Sequence, residues 1–511
     1  MFAAISRMPV VCAFFLGAIS VLGFSPFDVY IIPIVSVAIT IGLLSSQNFT
    51  RRKTFLIGFA FAFGLLVVGA SWIYVSLHNF GGMSAPVAVL ATLLFCVIFA
   101  VPLGLMTALL NIQALPRKIR LLIFLPLAFC LSDWVRSWLF TGFPWLSLGY
   151  SQIPISPLAG FTSIVGVYGI SLILSLMSGW IAYRYIIYQT ILPSARPRHL
   201  TVSISALIVV AVVGLTAKKI QWTQEFQTTG TSVALLQGNI AQDVKWDQTF
   251  VLQTLEQYLQ MASEENAEII LLPETALPIL DINLPNSFKE AFSDLTNNRG
   301  SNIVYGIPEK SNDGKFFNSV MSVGVSGEQT YRKHHLVPFG DYFPTWQPIT
   351  WIMQSLSIPM SNFSRGEKLQ SPIRAGSQKI AVNICYEDVF GEEIIRQLPD
   401  ATVLANFTND AWWGDSLGPK QHLQIAQTRA LETGREMLRV TNTGMTAIIG
   451  HDGYILSSIP QFEKQTLRGV IQGRTGQTPY VKYGNLLFLA MCVIVALAGL
   501  AWHRLFHART R

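Results

Sequence analysis

The stretch Lys379-Ile-Ala-Val-Asn-Ile-Cys-Tyr-Glu-Asp-Val-Phe390 reads as a strand that stops at a thiol. Ile380 to Ile384 is an apolar, β-favouring run of strand length. Cys385 ends it, and Tyr386, Glu387 and Asp388 follow at once. A thiol at the end of a buried strand, with carboxylates beside it, is placed like a nucleophile on a strand-to-helix turn. A core cysteine, acting as a small hydrophobe, is the commoner occupant of such a position. The neighbouring segments have to decide between the two.

On either side, short β-rich runs alternate with helical ones. Ser232 to Leu236, Glu268 to Leu272, Ile303 to Ile307, Val320 to Val325 and Ala401 to Ala405 read as strands. Leu438 to Thr441 and Ala447 to Ile449 follow them. Thr249 to Glu264, residues 285–298 and residues 417–436 carry apolar residues at helical spacing or helical composition. Such alternation predicts a layered α/β domain. Residues 342–378, rich in Pro, Ser and aromatics with Trp346, Trp351 and Met353, are too long for an ordinary connector and read as a lid.

The rest of the chain is different in kind. Of 511 residues, 51% are hydrophobic and 13% charged, against about a quarter charged in soluble domains. Mean hydropathy is +0.43. Apolar runs near 8–25, 28–46, 54–77, 86–110, 119–138, 159–184, 202–218 and 484–503 predict a transmembrane helical bundle of about eight spans. The first run has no convincing cleavage site and is kept as a span. The expected divisions are a seven-span part at 1–218, an extracytoplasmic domain at 219–483, and a last span with a tail at 484–511. Arg51-Arg52-Lys53, Arg117 to Arg120, Arg184 to His199 and His503 to Arg511 are basic, and the intervening loops are not. Basic loops mark the cytoplasmic side, which puts both termini there and the α/β part outside. The net charge of +7 is therefore topological, and no nucleic acid partner is expected. Asp133 and Arg136, three apart on one helix, either pair or mark a functional site at membrane depth. Gly142 to Gln152 is an aromatic outer loop.

Four of the five cysteines lie in apolar runs, and Cys385 alone lies in the polar part. It has no evident disulfide partner and no metal-type spacing, so catalysis becomes a reason for it. Ligands in open α/β sheets sit beyond the carboxyl ends of strands. Glu274 follows Leu271-Leu-Pro273, Lys333 follows Thr330-Tyr-Arg332, and Asn406 to Asp410 ends another strand. A carboxylate takes a thiol proton and returns it. A lysine holds an oxyanion. The thiolate forms a thioester. Asp388 reads as an acid favouring a helix start. His334 and His335 lack a third ligand, and no metal or cofactor is expected. Trp412-Trp413 reads as a membrane-facing or water-shielding loop pair slightly ahead of a packed core pair.

Leu272-Pro-Glu-Thr275, Tyr331-Arg-Lys-His-His-Leu-Val-Pro-Phe-Gly-Asp341, Asn383-Ile-Cys-Tyr-Glu387 and Arg429-Ala-Leu-Glu-Thr-Gly-Arg435 resemble the nitrilase (carbon–nitrogen hydrolase) superfamily. With Trp72 to His78, Gly142-Phe-Pro-Trp145, Gly149-Tyr-Ser-Gln152, Gln237-Gly-Asn-Ile240 and Lys245-Trp246, the whole chain resembles the apolipoprotein N-acyltransferase family. That resemblance implies an αββα sandwich and a Glu-Lys-Cys triad: Cys385 the nucleophile, Glu274 the general base and then acid, Lys333 the oxyanion holder. It gives Asp341 and Glu387 orienting roles, and Trp246 and Tyr386 a share in shaping the substrate site. Asp341 departs from the family's usual glutamate and is expected to orient Lys333 less closely. The resemblance further implies a phospholipid acyl donor, typically phosphatidylethanolamine, and a diacylated apolipoprotein acceptor. The enzyme is expected as a monomer in the bacterial inner membrane with its catalytic domain in the periplasm. A membrane-tethered amidase or nitrilase would need one span rather than eight. A transporter or binding receptor would need polar residues through the middle of several spans.

Overall fold

A computed structural model of the chain describes residues 8–245, 247–342 and 362–508. It divides into two compact units. One comprises the residues up to Ser71, Val89–Ile220 and those from Lys482 onward; the other comprises Trp72–Ala88 and Gln221–Val481.

The first unit is helical: α1 (Pro9–Ser20), α2 (Ile31–Ser46), α3 (Arg51–Gly69), α4 (Ala85–Leu110, of which Ala85–Ala88 fall in the second unit), α5 (Leu125–Arg136), α6 (Thr162–Thr190), α7 (Arg196–Ala217) and a C-terminal helix Leu486–Ala508. Among the described residues, five helical stretches are long and apolar enough to cross a membrane, and Pro9–Gly23 and Ile31–Ser46 are shorter apolar helices. Small residues let α1 and α3 touch backbone to backbone. A Cβ on Gly17 would meet the Phe61 carbonyl oxygen at 1.9 Å, and one on Gly64 would meet that of Phe14 at 2.0 Å. Where lipid is as apolar as leucine, such close packing rather than hydrophobicity holds helices together.

Two expected spans are interrupted. The helix over 119–138 widens to a π turn at Arg120–Phe124 just before Pro126, which cannot donate to the preceding turn and crowds its carbonyl. The run over 54–77 stops at Gly69, and Trp72–Phe80 belongs to the other unit. Asp133 and Arg136 do pair, at 2.8 Å. Asp133 also accepts from the Leu148 amide at 2.7 Å, and Arg136 donates to the Trp145 carbonyl at 2.9 Å. This buried pair pins the aromatic loop, which accounts for its position without a further role.

The second unit is a four-layer α/β/β/α sandwich. One sheet runs in the order Ile455–Ser458, Ala447–Ile449, Met437–Thr441, Val403–Thr408, Gln378–Ile384, Ile373–Ala375, and the other in the order Gln465–Ile471, Thr231–Gln237, Ile269–Leu271, Asn302–Lys310, Phe316–Gly324, Gln329–Arg332. The strands that matter here are β2 (Thr231–Gln237), β3 (Ile269–Leu271), β4 (Asn302–Lys310), β5 (Phe316–Gly324), β6 (Gln329–Arg332), β8 (Gln378–Ile384), β9 (Val403–Thr408) and β10 (Met437–Thr441). Alternation builds the layers. Val233 and Leu235 of β2 face Ile380, Val382 and Ile384 of β8 in the core between the sheets. Ala234 and Leu236 turn outward onto α8 (Gln248–Ser263) and α9 (Asn286–Arg299). Ala381 and Leu404 turn outward onto α10 (Leu417–Thr433). Burying each such valine, leucine or isoleucine side chain contributes roughly 1.5–3 kcal/mol. β8, β9 and β10 run parallel, with Asn383 opposite Asn406 and Arg439 opposite Asn406. β2, β3 and β4 also run parallel. In each parallel set the carboxyl ends therefore open along one edge.

Candidate active site

Four segments deliver polar side chains to that edge. Beyond β3 the chain turns at Leu272-Pro273, and Thr275 takes a left-handed φ of 47°. This turn aims the Glu274 carboxylate inward, where it is buried. The Asn318 side-chain amide donates to one oxygen at 2.8 Å and the Asn409 backbone amide to the other at 2.9 Å. Lys333, beyond β6, is held by its backbone amide on the Asn318 carbonyl at 2.8 Å. Its Nζ lies 2.8 Å from Asp341 Oδ2 and 3.6 Å from Glu274 Oε1. Burial pulls the lysine pKa down, but the two carboxylates more than reverse this, so the ammonium stays charged.

Cys385 opens a 3₁₀ turn immediately after β8. Its φ of 52° is left-handed, a conformation that costs a non-glycine residue about 1–3 kcal/mol and clusters at functional sites. The thiol is half-buried against the inter-sheet core. Burial and then the Glu274 charge push its pKa up, while Lys333 opposes them. The resting group is the thiol, so a base is needed to ionise it.

Glu387, two residues on, braces this turn from behind. Its carboxylate accepts from the backbone amides of Ile384 at 2.7 Å, His334 at 2.7 Å and His335 at 3.0 Å, and from the Tyr331 hydroxyl at 3.1 Å. Burial lifts its pKa to about 7 against the pull of those donors. One side chain thus ties the end of the Cys385 strand to the loop carrying Lys333. Asp341 reaches Lys333 in full contact despite its shorter side chain. Its Oδ2 also accepts from the Val337 amide at 2.8 Å, and the turn so closed brings the carboxylate forward.

Two regions of the chain match known families. Residues 16–180 match the apolipoprotein N-acyltransferase N-terminal domain. Residues 232–480 match the carbon–nitrogen hydrolase family. Over 496 residues the chain is 42% identical to an apolipoprotein N-acyltransferase of Nitrosomonas europaea, with 96% of each chain covered. The chain belongs to the apolipoprotein N-acyltransferase family. It is also 37% identical to the apolipoprotein N-acyltransferase of Chromobacterium violaceum, over 96% of this chain and 93% of that one. With that of Photobacterium profundum the identity is 36%, over 92% and 90%. Glu274, Lys333, Asp341, Cys385 and Glu387 all fall inside the hydrolase match of this N-acyltransferase family member.

The remaining expected residues divide. Tyr386 is buried, edge-on to Phe390 at 5.4 Å, and Phe390 stacks on His335 at 3.7 Å. Trp246 and residues 343–361, which hold most of the expected lid, lie outside the described residues. Of the lid stretch, Gly366 is seen returning to Lys333, its amide donating to the lysine carbonyl at 2.8 Å. Trp413 is not a membrane-facing residue: it is buried between Trp72 and His422, at ring distances of 5.1 and 5.0 Å. Only Trp412 is exposed, edge-on to Phe80 at 6.2 Å. Asp388 is no helix-start acid either, since it is buried on His422 and Arg439.

Sequence reasoning missed Asn318, a neutral partner of Glu274, and held its other neutral partner, Asn409, only within the polar run Asn406 to Asp410. It also gave Lys245 no place in the site. The Lys245 ammonium is buried and donates to the Glu274 carbonyl and the Thr275 hydroxyl, both at 3.2 Å, holding the left-handed turn. Burial lowers its pKa to about 8. A polar side chain in the middle of a strand, or in a loop beside a tryptophan, carries no periodic signal that singles it out.

Proposed function

We propose that this protein N-acylates the α-amino group of the S-diacylglyceryl-cysteine of apolipoproteins, drawing the acyl chain from the sn-1 position of a phospholipid. Phosphatidylethanolamine is the typical donor. The observation that carries the mechanism is the meeting of a protonated thiol on a left-handed turn with a carboxylate and a charged lysine that both act on it.

Glu274 takes the Cys385 proton as Sγ attacks the ester carbonyl. Lys333 holds the oxyanion, and its pairing with Asp341 keeps it charged and oriented. The intermediate collapses to a thioester, and the leaving lysophospholipid oxygen receives the proton back from Glu274. The α-amino group of the acceptor then attacks the thioester. Glu274 receives the amine proton and passes it to the departing Sγ. Family membership supports the acceptor and the N-acyl transfer, because the relatives are named for both.

The helical unit spans the bacterial inner membrane about eight times, with both termini cytoplasmic and the α/β unit in the periplasm. The alternation of basic and uncharged loops supports this orientation. Two substrates held in the bilayer by their acyl chains explain so many spans: extracting each CH₂ into water costs about 0.8 kcal/mol. The proposed bounds are the helical part at 1–218, the catalytic domain at 219–483 and the last helix at 484–511.

The test is intact mass spectrometry of purified enzyme incubated with phospholipid alone. An acyl adduct on Cys385 is expected, absent in Cys385→Ala and discharged by a diacylated lipopeptide. Discharge by water as fast as by lipopeptide would sink the transferase reading in favour of a hydrolase.

A further inference from the structure

Beneath the Cys385 turn lies a second cluster of charge that the reaction above does not use. Asp388, Asp410, His422 and Arg439 are all essentially excluded from solvent. They come from four different elements: the 3₁₀ turn after β8, the turn after β9, helix α10 and strand β10. His422 sits at the centre. Its Nε2 donates to Asp388 Oδ1 at 2.8 Å. Its Nδ1 faces Asp410 Oδ1 at 3.1 Å and Arg439 Nη2 at 2.8 Å. Arg439 Nη2 also donates to Asp410 Oδ2 at 2.7 Å, and Nη1 lies 3.5 Å from Asp388 Oδ2.

The cluster reaches the nucleophile by two short paths. Asp410 Oδ1 accepts from the Thr408 hydroxyl at 3.0 Å, and Thr408 also acts on the Cys385 thiol, lowering its pKa. Arg439 Nη1 donates to Asn406 Oδ1 at 2.6 Å, and the Asn406 amide donates to the Cys385 carbonyl at 3.0 Å. Asp388 is three residues beyond Cys385 on the same turn. Asp410 is two residues beyond Thr408 on its neighbour.

We propose that His422 is a positioning residue for acyl transfer: by bridging Asp388 to Asp410 it fixes the Cys385 turn against Thr408 and so sets where Sγ points. Four buried charges are a costly way to make a core. Well-packed apolar side chains of similar volume are often as stable, so the retained cluster is better explained by the geometry it imposes. A left-handed turn persists only where its surroundings over-determine it. His422 supplies that constraint, and its ring is held in turn against Trp413 at 5.0 Å. The catalytic consequence rests on Cys385 being the acylated thiol.

The test compares His422→Leu, His422→Gln and Asp410→Asn in the full-length enzyme. It measures melting temperature, the pH profile of Cys385 alkylation by iodoacetamide, and acyl-enzyme formation against phospholipid concentration. His422→Leu should lower the limiting acylation rate roughly a hundredfold, the scale of a misplaced reacting group. Half-saturation should stay unchanged, and the alkylation profile should shift. His422→Gln keeps a donor for Asp388 and should recover most of the rate. A folded His422→Leu enzyme with wild-type alkylation and acylation overturns the proposal. So does a glutamine variant that regains the melting temperature but not the rate. If the leucine variant does not fold, Asp410→Asn carries the same comparison, and a wild-type profile there is equally fatal. An alkylation shift in the variants, with no acyl adduct even in the wild type, would remove the acyl-transfer reading and leave the positioning role standing.

Discussion

The two buried charge clusters of the α/β unit are built from the same residue types to opposite ends. Around Lys333, one ammonium serves two carboxylates unequally, at 2.8 Å for Asp341 and 3.6 Å for Glu274. Glu274 is otherwise held by neutral amides. Around His422, all four carboxylate oxygens meet a cationic or imidazole partner. The first arrangement leaves one acid without a close cation. The second closes on itself and resists any change. The two clusters differ in how tightly their cations are shared, and burial is common to both.

The comparison can be broken most sharply at the loose cluster. Glu274→Gln should reduce acyl-enzyme formation by roughly a thousandfold, within the range for loss of a general base, with little loss of melting temperature. A nearly active variant would show that the loosely held acid is not the proton carrier. Glu387→Gln probes the brace between the Cys385 strand and the Lys333 loop. A glutamine has one acceptor oxygen for donors that now reach both, and each such bond to a charged group contributes about 1.5–3 kcal/mol. Both melting temperature and acylation rate should fall, the rate by roughly tenfold or more. A drop in stability with full activity would make the brace purely structural.

The smallest effect on stability lies in the acid response of the closed cluster. Burial raises the Asp410 pKa, but Arg439 and His422 outweigh it and take the carboxylate from 3.8 to about 2. The sign follows: the stabilisation is complete above the ordinary value and is lost as pH falls from about 4 towards 2. It amounts to about 2 kcal/mol. Asp410→Asn should flatten the dependence of melting temperature on pH across that window. An unchanged acid limb would mean that the closed cluster does not hold its charge against acid.

Much of this was legible in the chain. Strand runs ending at Glu274, Lys333 and Cys385 named the loose cluster, because chemistry at strand ends leaves a polar residue where an apolar run stops. Of the closed cluster only Asp410 left such a trace, in the polar run that ends its strand. Asp388, Asp410, His422 and Arg439 are spread over about fifty residues and meet only through tertiary folding. Asp388 in particular looks like any acid at a helix start. Its partner His422 lies on a helix buried along nearly its whole length, where no polar face marks it. The end of the third apolar run was likewise hidden. Trp72 to Phe80 is apolar enough to extend a span, and only its packing on Trp413 and Trp412 shows that it belongs with the α/β unit.

That small segment has a consequence for how the protein is made. The Ser76 hydroxyl donates to the Trp412 carbonyl, 336 residues later in the chain. During synthesis the ribosome delivers Trp72–Ala88 long before the Trp412–Trp413 turn it packs on, with α5, α6 and α7 made in between. The segment cannot make these contacts until Trp412 and Trp413 have been translated. The earliest piece of the second unit thus waits for a partner that the chain supplies 336 residues later.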